Sequence, residues 1–85
     1  MNAHYQTLFT IYEIAKADQR PEIYPCRPRE IILRLMLSWD VIQQHINLLQ
    51  SEGLITTRQL DTLVIHITGE GLNKIRSLTG DKQSA

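Results

Sequence analysis

The spacing of apolar residues changes once along this chain of 85 residues, and the change at Gly53 constrains the fold more than any other feature. Before Gly53, apolar side chains recur every three or four positions, as on one face of an α-helix. In residues 54–67 they alternate with polar side chains, as in β-strands. The two patterns in this order predict an α+β fold in which a β-hairpin directly follows a helix.

Three helices are predicted before this point. The first covers residues 3–17, and the connector 18–28, which contains all three prolines, separates it from the second. Residues 23–24 within the connector are a candidate short strand. The second helix is expected to begin at Pro28, because a missing N–H costs nothing in the first turn of a helix, and to end near Met36.

The third helix is expected to begin at Ser38, whose hydroxyl can accept a hydrogen bond from a free amide of the first turn, and to end at Gly53. Its apolar face consists of Ile42, Ile46 and Leu49. Its opposite face is entirely polar and consists of Asp40, Gln43, Gln44, Asn47, Gln50 and Ser51. The third helix therefore offers its surroundings a surface rich in side-chain amides.

The remaining segments complete one domain. Residues 54–67 predict the two strands of the hairpin, and Thr68 can cap a last helix that ends near Gly80. Residues 80–85 are expected to form a flexible tail. Because a chain of this size supports one core only, residues 1–79 predict a single α+β domain, with a three-helix core, a β-hairpin and a C-terminal helix.

The first helix has more apolar residues than one narrow stripe accommodates. Its stripe consists of Tyr5, Leu8, Phe9, Tyr12 and Ala15. Ile11 and Ile14 fall outside this stripe, and two interpretations are open. Both isoleucines could pack against a helix of a second copy, which predicts a homodimer through residues 3–17, or both could pack into the chain's own core.

Several classes of function are disfavoured by what the sequence lacks. No apolar run approaches the roughly 20 residues that span a bilayer, and the N-terminus shows no secretory signal, so we expect a cytoplasmic protein without a membrane partner. The single cysteine, Cys26, fits a reducing compartment and a small, semi-buried apolar role. His4, His45 and His66 lie on separate predicted elements, so we expect packing roles and no metal site. No catalytic motif is visible, and we expect neither enzyme activity nor a cofactor.

The order of elements and several short motifs resemble the winged helix-turn-helix domains of MarR-type and related bacterial transcriptional regulators. The matching segments, within about residues 22–79, are Leu35–Ser38, Ile42, Ile46, Leu49, Glu52–Ile55 and Ile67–Leu72. In those regulators a serine opens the recognition helix, a Gly-Leu-Ile sequence leads into a hairpin called the wing, and a Leu-Thr sequence with a glycine three positions after the threonine leads out of it. Two features depart from the family: Met36 stands where such domains often have glycine, and the sequence shows no long terminal helices like those through which the MarR type dimerises.

The resemblance implies that residues 38–52 form a recognition helix in the major groove of double-stranded DNA, with residues 54–67 as the wing. The candidate base-reading residues are Gln43, Gln44 and Asn47, because side-chain amides can bond bidentately to the N6 and N7 edge of adenine. The candidates for contacts with phosphate or sugar are Ser38, Trp39, Arg27, Arg29 and Arg58. The alternatives are a solvated amide face without a partner, a hydrophobic flap for Trp39 and plain surface roles for the arginines.

The charge of the chain limits this interpretation. Nine basic and nine acidic residues cancel, and a neutral protein attracts DNA phosphates only if its charges are segregated. Five of the six arginines lie between Arg20 and Arg58, which indicates some segregation. The predicted function is sequence-specific DNA binding by a transcriptional regulator. The alternative is a winged-helix module that binds another protein, which the neutral charge and the lack of lysine and arginine in the third helix also fit.

Overall fold

A computed structural model describes residues 2–80 of the chain, and within them it contains four α-helices and one two-stranded antiparallel sheet. The elements in chain order are α1 (Ala3–Ala15), a 3-10 turn (Pro21–Ile23), α2 (Pro28–Leu35), α3 (Trp39–Ser51), β1 (Ile55–Gln59), β2 (Leu63–Ile67) and α4 (Gly69–Thr79). The predicted α+β class and the hairpin after the third helix are confirmed. Residues 81–85 of the predicted tail lie outside the described residues.

The short strand predicted at residues 23–24 is wrong. Ile23 belongs to the 3-10 turn and is 53% exposed. The extended backbone instead pairs at Cys26, whose N–H and carbonyl each form a 2.9 Å hydrogen bond with Ile65 of β2. Pro21 explains the shift, since its fixed φ suits the first position of a helical turn and delays the extended segment. As a result, β2 has backbone partners on both sides, β1 on one and Cys26 on the other.

The core draws on all four helices and both strands. Its buried residues include Leu8, Ile11, Ile14, Ala15, Cys26, Ile31, Ile42, Ile46, Leu49, Ile55, Ile65, Ile67 and Ile75. Ile11 and Ile14 are only 0% and 6% exposed. The dimer surface predicted on these two residues of segment 3–17 is therefore wrong, and the alternative, that both pack into the chain's own core, is confirmed. The reason is that α1 packs against α2, α3, α4 and β2, so its covered surface is wider than a single stripe.

The capping predictions for the third and last helices are confirmed. The Ser38 hydroxyl accepts a hydrogen bond of 3.4 Å from the N–H of Val41. Gly53 follows α3 with a φ of 76°, in the left-handed region that glycine adopts without strain. Thr68 caps α4 by accepting from the N–H of Gly71 at 3.0 Å. Local side-chain chemistry thus fixes where α3 and α4 begin.

Gly71 lets α4 lie directly on the base of the hairpin. A Cβ atom at this position would collide with the carbonyl oxygen of Leu54 and would lie 2.7 Å from Cγ1 of Ile67. Neither neighbour is the free end of a flexible side chain. The second glycine of the segment Thr68–Leu72 is therefore required by close packing rather than by its backbone conformation.

Polar contacts join α1 to α3 and to Glu52, the residue that follows α3. The carboxylate of Glu52 accepts from the hydroxyl of Tyr5 at 2.7 Å and from Nε2 of His4 at 3.0 Å. These two hydrogen bonds hold the pKa of Glu52 below its usual range. Deeper in the structure, Oγ1 of Thr7 and Nδ1 of His45 share a buried hydrogen bond of 2.7 Å. Burial lowers the pKa of His45, and the neighbouring His4 lowers it further.

The turn between α2 and α3 contains a strained residue. Met36 has φ 57° and ψ 34°, the left-handed conformation, and among residues 2–80 no other non-glycine residue has a positive φ. This conformation costs roughly 1–2 kcal/mol for a residue with a Cβ atom. The side chain is 81% exposed, so packing does not offset the cost. The departure from glycine noted in the sequence therefore occurs where glycine would be unstrained.

Replacing Met36 with glycine is expected to raise the free energy of unfolding by about 0.5–1 kcal/mol, because strain is removed and only part of the gain is lost to the entropy of the unfolded chain. Urea unfolding followed by circular dichroism measures the change. Met36→Ala is the control, since it removes the same side chain but keeps the strained backbone. Equal stability of the two variants would contradict the assignment of strain to this residue.

Mild acidification is expected to destabilise the protein through His45. Because its pKa is lower in the folded protein than the ordinary value of 6.5, the unfolded chain binds more protons once the pH falls below that value, and stability decreases. Glu52 acts at lower pH, since its depressed pKa contributes stability that is lost only below its ordinary value of 4.5. Between about pH 7.5 and 5.5, the melting temperature measured by thermal unfolding should decrease less in His45→Gln than in the wild type. The control is His66→Gln, and an unchanged decrease in His45→Gln would refute the role of His45.

Candidate nucleic-acid interface

The polar side of α3 is exposed, as predicted. The helix buries Ile42, His45, Ile46 and Leu49 against the core. The opposite side is exposed and carries Asp40, Gln43, Gln44 and Asn47, a surface named here the amide face. Asp40 is its single charged residue. The side chains predicted to read bases are therefore brought together on one solvent-accessible surface.

The C-terminal end of α3 is attached to the hairpin, whereas the amide face is not engaged. The carbonyl oxygen of the Gln50 side chain accepts a 2.6 Å hydrogen bond from the hydroxyl of Thr57 in β1. Within residues 2–80, no side chain of the amide face forms a hydrogen bond with another residue. The nearest such bond runs from the N–H of Val41 to Ser38 and caps the start of α3. The Gln50–Thr57 bond thus fixes the hairpin beside α3 and leaves the amides free to bind a partner.

The start of α2 lies against the turn of the hairpin. Nη1 of Arg27 donates a 3.0 Å hydrogen bond to Oγ1 of Thr62, which lies between β1 and β2. Arg27, Arg29 and Thr62, with Pro28 and Glu30, line a cleft of about 450 Å³. The sequence gives no sign of this contact, because it joins residues 35 positions apart. The structure therefore brings two of the three candidate arginines to the hairpin turn.

None of the three candidate arginines forms an ion pair with another residue of the described range 2–80, where the pairs are His4–Glu52 and Lys16–Glu13. Arg58 is exposed on β1, opposite Val64 of β2. Glu30 is the acidic neighbour in the cleft, and its Oε1 atom is buried without a hydrogen-bond partner. The arginines thus keep their charge available, while Glu30 reduces the positive potential of the cleft.

Trp39 and Ser38 begin α3 in different ways. Trp39 is half-buried and packs against the core, which agrees with its alternative role as a hydrophobic flap. Ser38 is exposed, and its oxygen is used as the helix cap, so only its hydroxyl hydrogen can serve a ligand. Contacts of these two residues with phosphate or sugar stay predictions.

An apolar edge borders the amide face and was not predicted as part of the surface. Val41 and Leu48 are 37% and 47% exposed. They lie seven positions apart and therefore share one edge of the helix. The sequence does not give the exposure of these two residues, since periodicity does not show how far neighbouring elements cover a helix.

Other kinds of site are less well supported by the described residues. Within residues 2–80, no three histidine, cysteine, aspartate or glutamate side chains are grouped to hold a metal ion. None of the helices in this range combines the length and the hydropathy that a membrane span requires. Cys26 is fully buried, and burial raises the pKa of its thiol to about 12. The chain matches no protein-family model, and no curated protein matches its sequence. The residues and geometry of the amide face therefore carry the functional argument.

Proposed function

We propose that this chain is a sequence-specific DNA-binding domain of the winged helix-turn-helix type and acts as a cytoplasmic transcriptional regulator. In this proposal α3 enters the major groove of double-stranded DNA and the β1–β2 hairpin is the wing. The observation that carries it is the exposed and unengaged amide face beside a hairpin attached through Thr57. The side-chain amides of Gln43, Gln44 and Asn47 are each able to bind adenine with two hydrogen bonds. The amide N–H donates to N7 of the base, and the amide oxygen accepts from its N6 amino group.

The arginines at the hairpin supply phosphate contacts in this proposal. Arg27 and Arg29 lie at the start of α2 and Arg58 lies on β1. Contacts with phosphates fix the orientation of a protein on the duplex. Three such contacts correspond to a slope of roughly −3 in a plot of log affinity against log salt concentration. Because the formal net charge is zero, we expect weak non-specific binding and a large share of the affinity from base contacts.

Selection of bound duplexes from a randomised library tests the proposal directly. We expect enrichment of a site that contains A·T pairs, bound about 10³-fold or more tightly than unrelated duplex DNA. The enriched duplex is then titrated at two salt concentrations to obtain the salt slope. A library that stays unenriched over successive rounds would argue against DNA as the ligand.

A second candidate function is a protein-interaction module. Two observations favour it: Asp40 is the only charge on the amide face, and the adjoining edge exposes Val41 and Leu48. A surface of amides bordered by aliphatic side chains suits a protein partner as well as a base edge. The same library separates the two functions, because a surface that binds only protein enriches no duplex.

Asn47→Ala is expected to weaken binding to the enriched duplex by about 1–3 kcal/mol and to relax the preference at one base pair, because one bidentate amide contact is lost. Fluorescence anisotropy with the enriched duplex and with single-pair variants measures both effects. The matched control is Asn73→Ala, which removes an exposed amide from α4. If the two alanine variants bind alike, Asn47 does not read DNA.

Arg58→Ala is expected to weaken binding to all duplexes alike and to make the salt slope less steep by about one, because one phosphate contact is lost. Titrations of an enriched and an unrelated duplex over a range of salt concentrations measure the slope. Arg76→Ala removes the same charge from α4, outside the two hairpin strands, and serves as the control. An unchanged slope in Arg58→Ala would exclude Arg58 from the interface.

A further inference from the structure

Asp40 is the residue of the amide face that lies nearest the N-terminus of α3. It is the second residue of α3 and is exposed. The N-terminal residues of a recognition helix are those that reach base edges. Its negative charge would there face the phosphates of a DNA duplex, which is unfavourable unless the carboxylate has a specific partner. A negative charge at this position therefore requires an explanation, whereas the neutral amides beside it do not.

The fold itself gives Asp40 no hydrogen-bonding task. Ser38 already caps the helix by accepting from the N–H of Val41. Within residues 2–80, Asp40 takes part in neither of the two ion pairs. Attraction to the positive end of the helix accounts for an acid anywhere in the first turn, and Glu70 has the same position in α4 behind the Thr68 cap. Asp40 differs from Glu70 because it lies on the amide face.

A carboxylate offers only acceptors, and this limits the base edges that it can bind. In the major groove, cytosine presents its N4 amino group as a donor, whereas guanine presents N7 and O6 and thymine presents O4 as acceptors. Adenine presents an N6 donor beside the N7 acceptor, which suits an amide better than a carboxylate. Cytosine is therefore the base whose edge best complements Asp40.

We propose that Asp40 is a specificity-determining residue that accepts a hydrogen bond from the N4 amino group of a cytosine. The inference rests on the proposed function and narrows its target to a C·G pair beside the A·T pairs that the amides read. Opposite guanine or thymine the carboxylate meets acceptors only, and opposite adenine it meets the N7 acceptor beside the N6 donor. At these bases its charge adds to the repulsion by phosphates, so Asp40 also acts against wrong sequences. The charge thus lowers affinity for DNA in general and increases the difference between sites.

The experiment compares the wild-type protein with Asp40→Ala on three duplexes. The first is the enriched duplex, the second has its C·G pair changed to T·A, and the third carries N4-methylcytosine, which keeps base pairing but blocks the amino hydrogen in the groove. We expect the wild type to lose roughly 5- to 150-fold in affinity on either change. Asp40→Ala should bind all three duplexes within about twofold of one another and should bind unrelated DNA more tightly than the wild type does.

Glu70→Ala is the matched control, because it removes an acid from the second position of a capped helix outside the amide face. It should keep the wild-type preference for cytosine. The assignment is overturned if Asp40→Ala retains that preference, or if the enriched site has no C·G pair beside its A·T pairs. Failure of the wild type to bind any duplex is a different result, since it overturns the proposed function itself and this inference with it.

Discussion

The hydrogen bonds of Thr68 hold the hairpin to the helices, and the geometry of the candidate site depends on them. The hydroxyl donates to the carbonyl of Gly53 at 2.7 Å and accepts from the N–H of Gly71, while the backbone N–H donates to the carbonyl of Leu54 at 3.1 Å. Thr68 thus closes the base of the hairpin, caps α4 and supplies a hydrogen bond to the carbonyl of Gly53, where the chain leaves α3. Because Gly71 allows α4 to touch Leu54, these elements meet without a gap, and the position of the hairpin beside α3 is set before any ligand binds.

Features that depend on a few neighbouring residues could be predicted from the sequence. Ser38 and Thr68 as caps, Gly53 as the end of α3 and the change to alternating strands all follow from local chemistry or periodicity. The exposure of the amide face follows as well, since the helical period alone places it opposite the buried isoleucines. The order of the four helices and the two hairpin strands, and most of the candidate base-reading surface, could therefore be predicted from the sequence.

Features that depend on how elements meet were not accessible. The burial of Ile11 and Ile14 requires knowledge of how many elements cover α1, and periodicity gives only the direction of a side chain. The pairing of Cys26 with Ile65 is a single bridge without an alternating pattern. The contact of Arg27 with Thr62 joins two distant positions that have no shared motif. In each case the decisive neighbour is far away in sequence, where local propensity carries no information.

The left-handed residue at the end of α2 affects more than stability. The left-handed well is small for a residue with a Cβ atom and wide for glycine, so Met36 restricts the joint between α2 and α3 to fewer backbone conformations. Fewer conformations at this joint restrict the angle between α2 and α3, and with it the range of positions that the arginines at the start of α2 can take relative to α3. The strain at Met36 lowers the folding stability of the chain. The restricted joint in turn reduces the conformational entropy that is lost when a rigid partner is bound.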